Sequence, residues 1–162
     1  EGVQMHGGMG MTDAFDIGFF MKRVRALQEY LGDSHFHTEM LARGRGAVIN
    51  LASLTSFVGV PTATPYGSSK SGLLGMTRAL STEWAGRGVR VNAIAPGYFR
   101  TDLTEVFYQD QAWATAMLGK IPQGRFGTGA DLAGAVVFLA SDASAYITGQ
   151  CLGIDGGYLS SI

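Results

Sequence analysis

Cysteine is almost missing from this sequence of 162 residues: Cys151 stands alone, inside an apolar run. No internal disulfide can form, so the thiol reads as a buried structural group and the chain as one suited to a reducing compartment, by expectation the cytoplasm. Charge is sparse and evenly split, 12 Lys and Arg against 13 Asp and Glu. That balance gives no field to gather nucleic acid or an anionic membrane surface. Long hydrophobic runs are missing as well. None approaches the roughly 20 residues of a membrane span, and the N-terminus has no charged-then-apolar signal pattern. Metal-ligand spacing is absent too. His35 and His37 stand two apart and so face different sides of a helix, with no further cluster after them, and they read as exposed or boundary residues.

What is present is apolar residue and glycine. A hydrophobic content of 46% supports one globular core, and 24 glycines imply many tight turns or close backbone approaches. From residue 47 onward short apolar runs alternate with helical periodicity, the signature of an α/β fold with a parallel sheet. Residues 47–51 read as a strand and 55–65 as a loop holding Gly59, Pro61 and Pro65. Residues 66–85 read as a helix with Leu73, Thr77, Leu80 and Trp84 along one stripe, ended by the glycines of 86–88. Residues 89–95 form a second strand, stopped by Pro96 and Gly97 at the carboxyl end, where open α/β sheets bind ligands. A moderately amphipathic helical stretch follows over 103–118, and its Phe107, Tyr108 and Trp113 face either a substrate or other helices. Arg125 lies in a turn and reads as a surface or interface residue. Thr128 and Asp131 make a capping box for a helix with Leu132, Val136 and Leu139 inward, and 151–154 is a final strand turned off by Asp155, Gly156 and Gly157.

Three polar residues in this pattern carry chemistry. Tyr66 and Lys70 are four apart, which in a helix puts them on one face about 6 Å apart along the axis. An ammonium beside a phenol favours the phenolate, the direction needed for a tyrosine to exchange protons near neutral pH. Ser53, just after the first strand, is placed to donate a hydrogen bond to a substrate oxygen. Taken alone, the same residues also read as packing: Tyr66 in the core, Lys70 reaching along an apolar surface to water, and Ser53 an ordinary strand-end hydroxyl.

The surrounding motifs separate these readings. The run Gly46-Ala47-Val48-Ile49-Asn50-Leu51-Ala52-Ser53, then Tyr66-x-x-x-Lys70, then Val89-Arg90-Val91-Asn92-Ala93-Ile94-Ala95-Pro96-Gly97 closely resembles the short-chain dehydrogenase/reductase family, in family order, over roughly residues 40–162. The resemblance implies the C-terminal half of a Rossmann-like, doubly wound parallel sheet. It implies hydride transfer between NAD or NADP and a carbonyl or secondary-alcohol carbon, with Ser53, Tyr66 and Lys70 as catalytic residues. Tyr66 and Lys70 would also touch the cofactor, with Pro96, Gly97, Phe99 and Thr101 lining its nicotinamide end. In the family the 103–118 region is a mobile lid and the C-terminal strand helps assemble subunits, so a homo-oligomer is expected. The segment from Pro96 through Gly127 is most similar to members acting on sugar acids such as gluconate.

The first forty residues resemble something different. Gln4-Met5-His6-Gly7-Gly8-Met9-Gly10-Met11-Thr12 followed by Met21-Lys22-Arg23-Val24-Arg25 is similar to the C-terminal helical region of acyl-CoA dehydrogenases, whose Gly-Gly-x-Gly turn lies near a flavin dinucleotide. Phe20, Val24, Leu27 and Leu31 recur at helical spacing. The chain is thus expected to divide into a helical segment over 1–42 and a partial reductase domain over 43–162. Neither part supplies the strand and glycine-rich turn that hold dinucleotide phosphates at a helix N-terminus, nor the asparagine-bearing helix that completes the family's proton relay. Three functional readings follow: the catalytic half of an NAD(P)-dependent oxidoreductase, a non-catalytic truncated or fusion fragment, and an acyl-CoA dehydrogenase fragment, which would carry flavin.

Overall fold

Backbone periodicity and packing resolve the reductase-like part into a small parallel sheet with helices against it. The computed structural model describes residues 34–101 and 104–162. The first segment up to residue 33, with its expected helix and its likeness to acyl-CoA dehydrogenases, lies outside the described residues. Two compact units divide between Arg43 and Gly44. In the first unit, helix α1 (Ser34–Ala42) is described, and Arg43 pairs with Glu39 one turn earlier.

The second unit runs β1 (Gly46–Leu51), a 3-10 turn at Leu54–Ser56, α2 (Thr64–Trp84), a 3-10 turn at Ala85–Arg87 and β2 (Val89–Pro96). It continues through α3 (Glu105–Tyr108), α4 (Gln111–Leu118), α5 (Gly129–Ala140) and β3 (Cys151–Ile154). The strands form one parallel sheet in the order β1-β2-β3. β2 is the centre: Val89, Val91, Ala93 and Ala95 have no exposed surface at all. A strand covered on both faces tolerates such a continuous apolar run, and here it tolerates one buried polar residue, Asn92, because both its nitrogen and its oxygen are hydrogen-bonded. Asn92 donates from Nδ2 to the Ile147 carbonyl at 2.9 Å and accepts the Gln150 N–H at 3.0 Å, which clamps the chain entering β3 onto β2.

The helix α2 packs on the sheet through Leu74 against Ala52, Ala93 and Ala95, with Cys151 beside them. Its buried stripe is Leu74, Thr77 and Ser81. This corrects the expected stripe, of which only Thr77 is shared; Leu73, Leu80 and Trp84 are half-buried. Small and hydroxylated residues win the inner face because the backbone is close there: a side chain at Gly149 would meet Ser81 Oγ at 2.7 Å. Thr77 and Ser81 satisfy their hydroxyls within the helix, on the carbonyls of Leu73 and Arg78, both at 2.7 Å. Gly88, at φ 74, turns the chain into β2 so tightly that a Cβ there would lie 2.0 Å from the Gly44 carbonyl oxygen.

The expected helix over 103–118 is two short helices. Asp110 breaks it, because its carboxylate accepts the N–H groups of Ala112 and Trp113 at 2.9 and 3.1 Å and starts a new helix. The capping box at Thr128 and Asp131 forms as the spacing predicts. Leu139 is the buried residue of α5, whereas Val136, expected inward, is 38% exposed alongside Val137 and Phe138.

Candidate active site

Both strands that lead to the site end on the same side of the sheet, Leu51 opposite Ile94 in β1 and β2. Ala52 N–H donates to the Ile94 carbonyl at 2.8 Å, so Ala52 faces β2 and the carbonyl of its neighbour Leu51 points to the outer edge of β1. Lys70 reaches that carbonyl: its Nζ donates to Leu51 O at 2.7 Å. The same ammonium lies 5.6 Å from the centre of the Tyr66 ring. Tyr66 sits in the first turn of α2, which starts at Thr64 with Pro65 in its opening turn, and it is half-exposed.

Ser53, two residues beyond Leu51, is buried and caps the 3-10 turn that follows. Its Oγ accepts the Thr55 N–H at 3.2 Å, and its own proton is the group it can offer a ligand oxygen. The structure therefore brings Lys70 to Tyr66 and to the end of β1 beside Ser53. A phenol and an ammonium so arranged can exchange a proton with, and hold, a ligand oxygen. The link of Lys70 to Leu51 was not foreseen, since a lysine–carbonyl contact across 19 positions leaves no local signal.

The second arm of the site leaves β2 at Pro96. Gly97 N–H donates to the Ile154 carbonyl at 2.9 Å, and a Cβ at Gly97 would strike the Asp155 side chain at 2.7 Å, so only glycine lets the two strand ends approach. Phe99 lies against Gly127, where a Cβ would meet its ring at 2.5 Å. Thr101 is exposed. A cavity of about 330 Å³ opens here, bordered by Phe99, Arg125, Asp131 and the glycines after β3. Ser53, Tyr66 and Lys70 do not line it; they stand at the end of the neighbouring strand.

Between the two arms and the expected lid sits an aromatic cluster. Tyr98 meets Trp113 and Tyr158 edge-on at 5.8 and 5.2 Å, and Tyr108 meets Trp113 and Phe126 at 5.3 and 4.6 Å. Tyr108 and Trp113 thus belong to packing, while Phe107 remains 56% exposed. Burial, and then the hydrogen bond that Tyr98 donates to Tyr158, push the Tyr98 phenol up to about 12. Burial also raises the Cys151 thiol, against a smaller opposing effect of Arg78. Arg125 is held by Asp131 through two hydrogen bonds of 2.9 and 2.7 Å and keeps that carboxyl well below the usual range. Among the described residues no group of metal-ligating side chains gathers, and no helix is long and apolar enough to cross a membrane.

A family model described as enoyl-(acyl carrier protein) reductase matches residues 32–159, and the chain belongs to this family of short-chain dehydrogenases and reductases. Among its relatives is a 2-dehydro-3-deoxy-D-gluconate 5-dehydrogenase of Pseudoalteromonas atlantica, 50% identical over 121 residues, which are 75% of this chain and 48% of the relative. A solved structure from Sinorhizobium meliloti, provisionally described as a short-chain alcohol dehydrogenase, is 59% identical with a TM-score of 0.77 and is matched over 83% of this chain and 53% of its own. A gluconate 5-dehydrogenase of Burkholderia cenocepacia, solved with NADP and tartrate, is 38% identical with a TM-score of 0.77, over 78% of this chain and 50% of its own. The chain spans about half the length of the relatives it matches.

Proposed function

We propose that this chain carries the catalytic half of an NAD(P)-dependent oxidoreductase acting on a secondary alcohol or ketone of a sugar acid, in the class of gluconate and 2-dehydro-3-deoxygluconate. One observation carries the reading: Lys70 reaches both the Tyr66 ring and the end of β1 beside Ser53. Relatives named for sugar-acid dehydrogenation support the substrate class.

The donor set fits one end of the cofactor. An ammonium at the tip of β1 suits ribose hydroxyls, and the exposed Thr101 beyond the Pro96-Gly97 turn of β2 suits the nicotinamide amide. Among the described residues no glycine-rich turn joins a strand to a helix N-terminus, so none holds the diphosphate. When bound, the nicotinamide supplies or accepts the hydride. Ser53 holds the substrate oxygen by donating its hydroxyl proton. Tyr66 gives that oxygen its proton during reduction and takes it back during oxidation. Lys70 supplies positive charge beside the phenol as its proton leaves, while Leu51 fixes the ammonium. Association of copies, as family members do, belongs to the same reading.

The test is turnover of a panel of sugar acids and keto sugar acids with NADP(H) and NAD(H). Turnover by the native chain that falls by about a hundredfold or more in Tyr66→Phe supports the proposal, in line with the loss of a general acid. Absence of both turnover and cofactor binding favours the non-catalytic fragment instead.

A further inference from the structure

Thr104 begins α3 but does not cap it: its hydroxyl turns back toward the preceding segment. There it meets Thr101 N–H at 3.0 Å, Thr101 Oγ1 at 3.0 Å, the Phe99 carbonyl at 3.0 Å and the Thr101 carbonyl at 3.2 Å. A hydroxyl has one proton and two lone pairs, and these partners differ in what they can do. The amide only donates, so it occupies one lone pair. The carbonyls only accept, so one of them takes the Thr104 proton. Either hydroxyl can donate across the 3.0 Å contact between Thr101 and Thr104; with the Thr104 proton on a carbonyl, the second lone pair faces Thr101 and Thr101 is the donor. Having given its proton to Thr104, the Thr101 oxygen has only lone pairs to turn outward, where the residue is exposed.

We propose that Thr104 is a positioning residue that fixes the Thr101 hydroxyl as a pure hydrogen-bond acceptor, so that this edge of the site selects a ligand group that donates hydrogen, a primary carboxamide over a ketone. The inference rests on the reading above, in which Thr101 faces the nicotinamide. It adds a directional rule which that reading lacks. A merely structural Thr104 would change affinity for all dinucleotides alike, whereas a positioning Thr104 changes the ratio between a carboxamide and its ketone analogue.

The probes are NADP and its 3-acetylpyridine analogue, in which a methyl ketone replaces the carboxamide, each titrated calorimetrically into the purified chain. The native chain is expected to prefer NADP by about fivefold to tenfold, the range of one well-placed neutral hydrogen bond. In Thr104→Val the Thr101 hydroxyl is released to rotate and donate, and the preference falls below about twofold; Thr104→Ser restores it. If circular dichroism shows that the valine variant does not fold, Thr104→Ala is read in the same way. A native-like preference in a folded Thr104→Val or Thr104→Ala chain overturns the positioning role while leaving the cofactor reading intact. Failure of the native chain to bind either dinucleotide overturns the cofactor reading and this inference with it.

Discussion

Replacing Asn92 by leucine tests how the end of β2 is tied to the chain that enters β3. The side chain is 1% exposed and makes two hydrogen bonds, to the Ile147 carbonyl at 2.9 Å and from the Gln150 N–H at 3.0 Å. Leucine matches asparagine in size but makes neither bond, and it strands one carbonyl and one amide. At about 1–1.5 kcal/mol for each bond, plus the cost of leaving the partners unpaired, Asn92→Leu should lose about 2–4 kcal/mol. For a chain of this size that is a fall in Tm of about 4–16 °C. Urea unfolding followed by circular dichroism measures the loss directly, with the slope unchanged. Asn92→Asp sharpens the test. It keeps the acceptor for Gln150 but buries a charge and loses the donor to Ile147 at neutral pH. Burial raises the folded pKa of that new carboxyl, so stability is present below its unfolded pKa and is lost as pH rises through the folded value. The aspartate variant should therefore gain on the native chain as the pH is lowered. A loss below about 1 kcal/mol in Asn92→Leu, or no acid recovery in Asn92→Asp, would refute the clamp.

Three further variants probe local contacts. Thr128→Ala removes the N-cap of α5 and should cost about 1 kcal/mol in urea unfolding. Its partner Asp131 has its carboxyl pulled down first by Arg125 and then by Thr128, so its contribution is present above the ordinary carboxylate pKa of 3.8 and disappears as the pH falls through the depressed value; Asp131→Asn should flatten the acid limb of stability against pH. At the other extreme, the Tyr98 phenol is raised from 10.0 to about 12, so its contribution is intact below pH 10 and is withdrawn as the pH climbs from 10 toward 12. Tyr98→Phe should make stability fall less steeply over that interval, measured by alkaline denaturation; an unchanged slope would count against Tyr98 as the group responsible.

The parts of this molecule that were readable in advance are those written in adjacent residues. The Cys151–Ile154 strand, the β2 run from Val89 and the Thr128 and Asp131 capping box depend on local alternation or spacing, and the structure has all three. Tyr66 and Lys70 share a helical face for the same reason. What escaped depends on contacts between distant segments. The inner stripe of α2 moved from Leu73 and Leu80 to Leu74 and Ser81 because Gly149, far along the chain, approaches closely at Ser81. The break at Asp110 was legible in principle, since aspartate is a strong N-cap, but helical periodicity over 103–118 masked it. Thr101 and Thr104 stand three apart, a spacing at which a hydroxyl can turn back on its own backbone, and that pattern is the signal that would have found the second threonine.

Lys70 at the tip of β1 is the group on which dinucleotide binding depends most directly. The direct measurement is titration of NADPH fluorescence with the purified native chain and with Lys70→Met, both checked for folding. Saturable binding by the native chain, weakened at least about tenfold by the loss of a charged hydrogen-bond donor, is the predicted result. Binding that is undiminished in Lys70→Met, or no saturation by the native chain at millimolar cofactor, would contradict it.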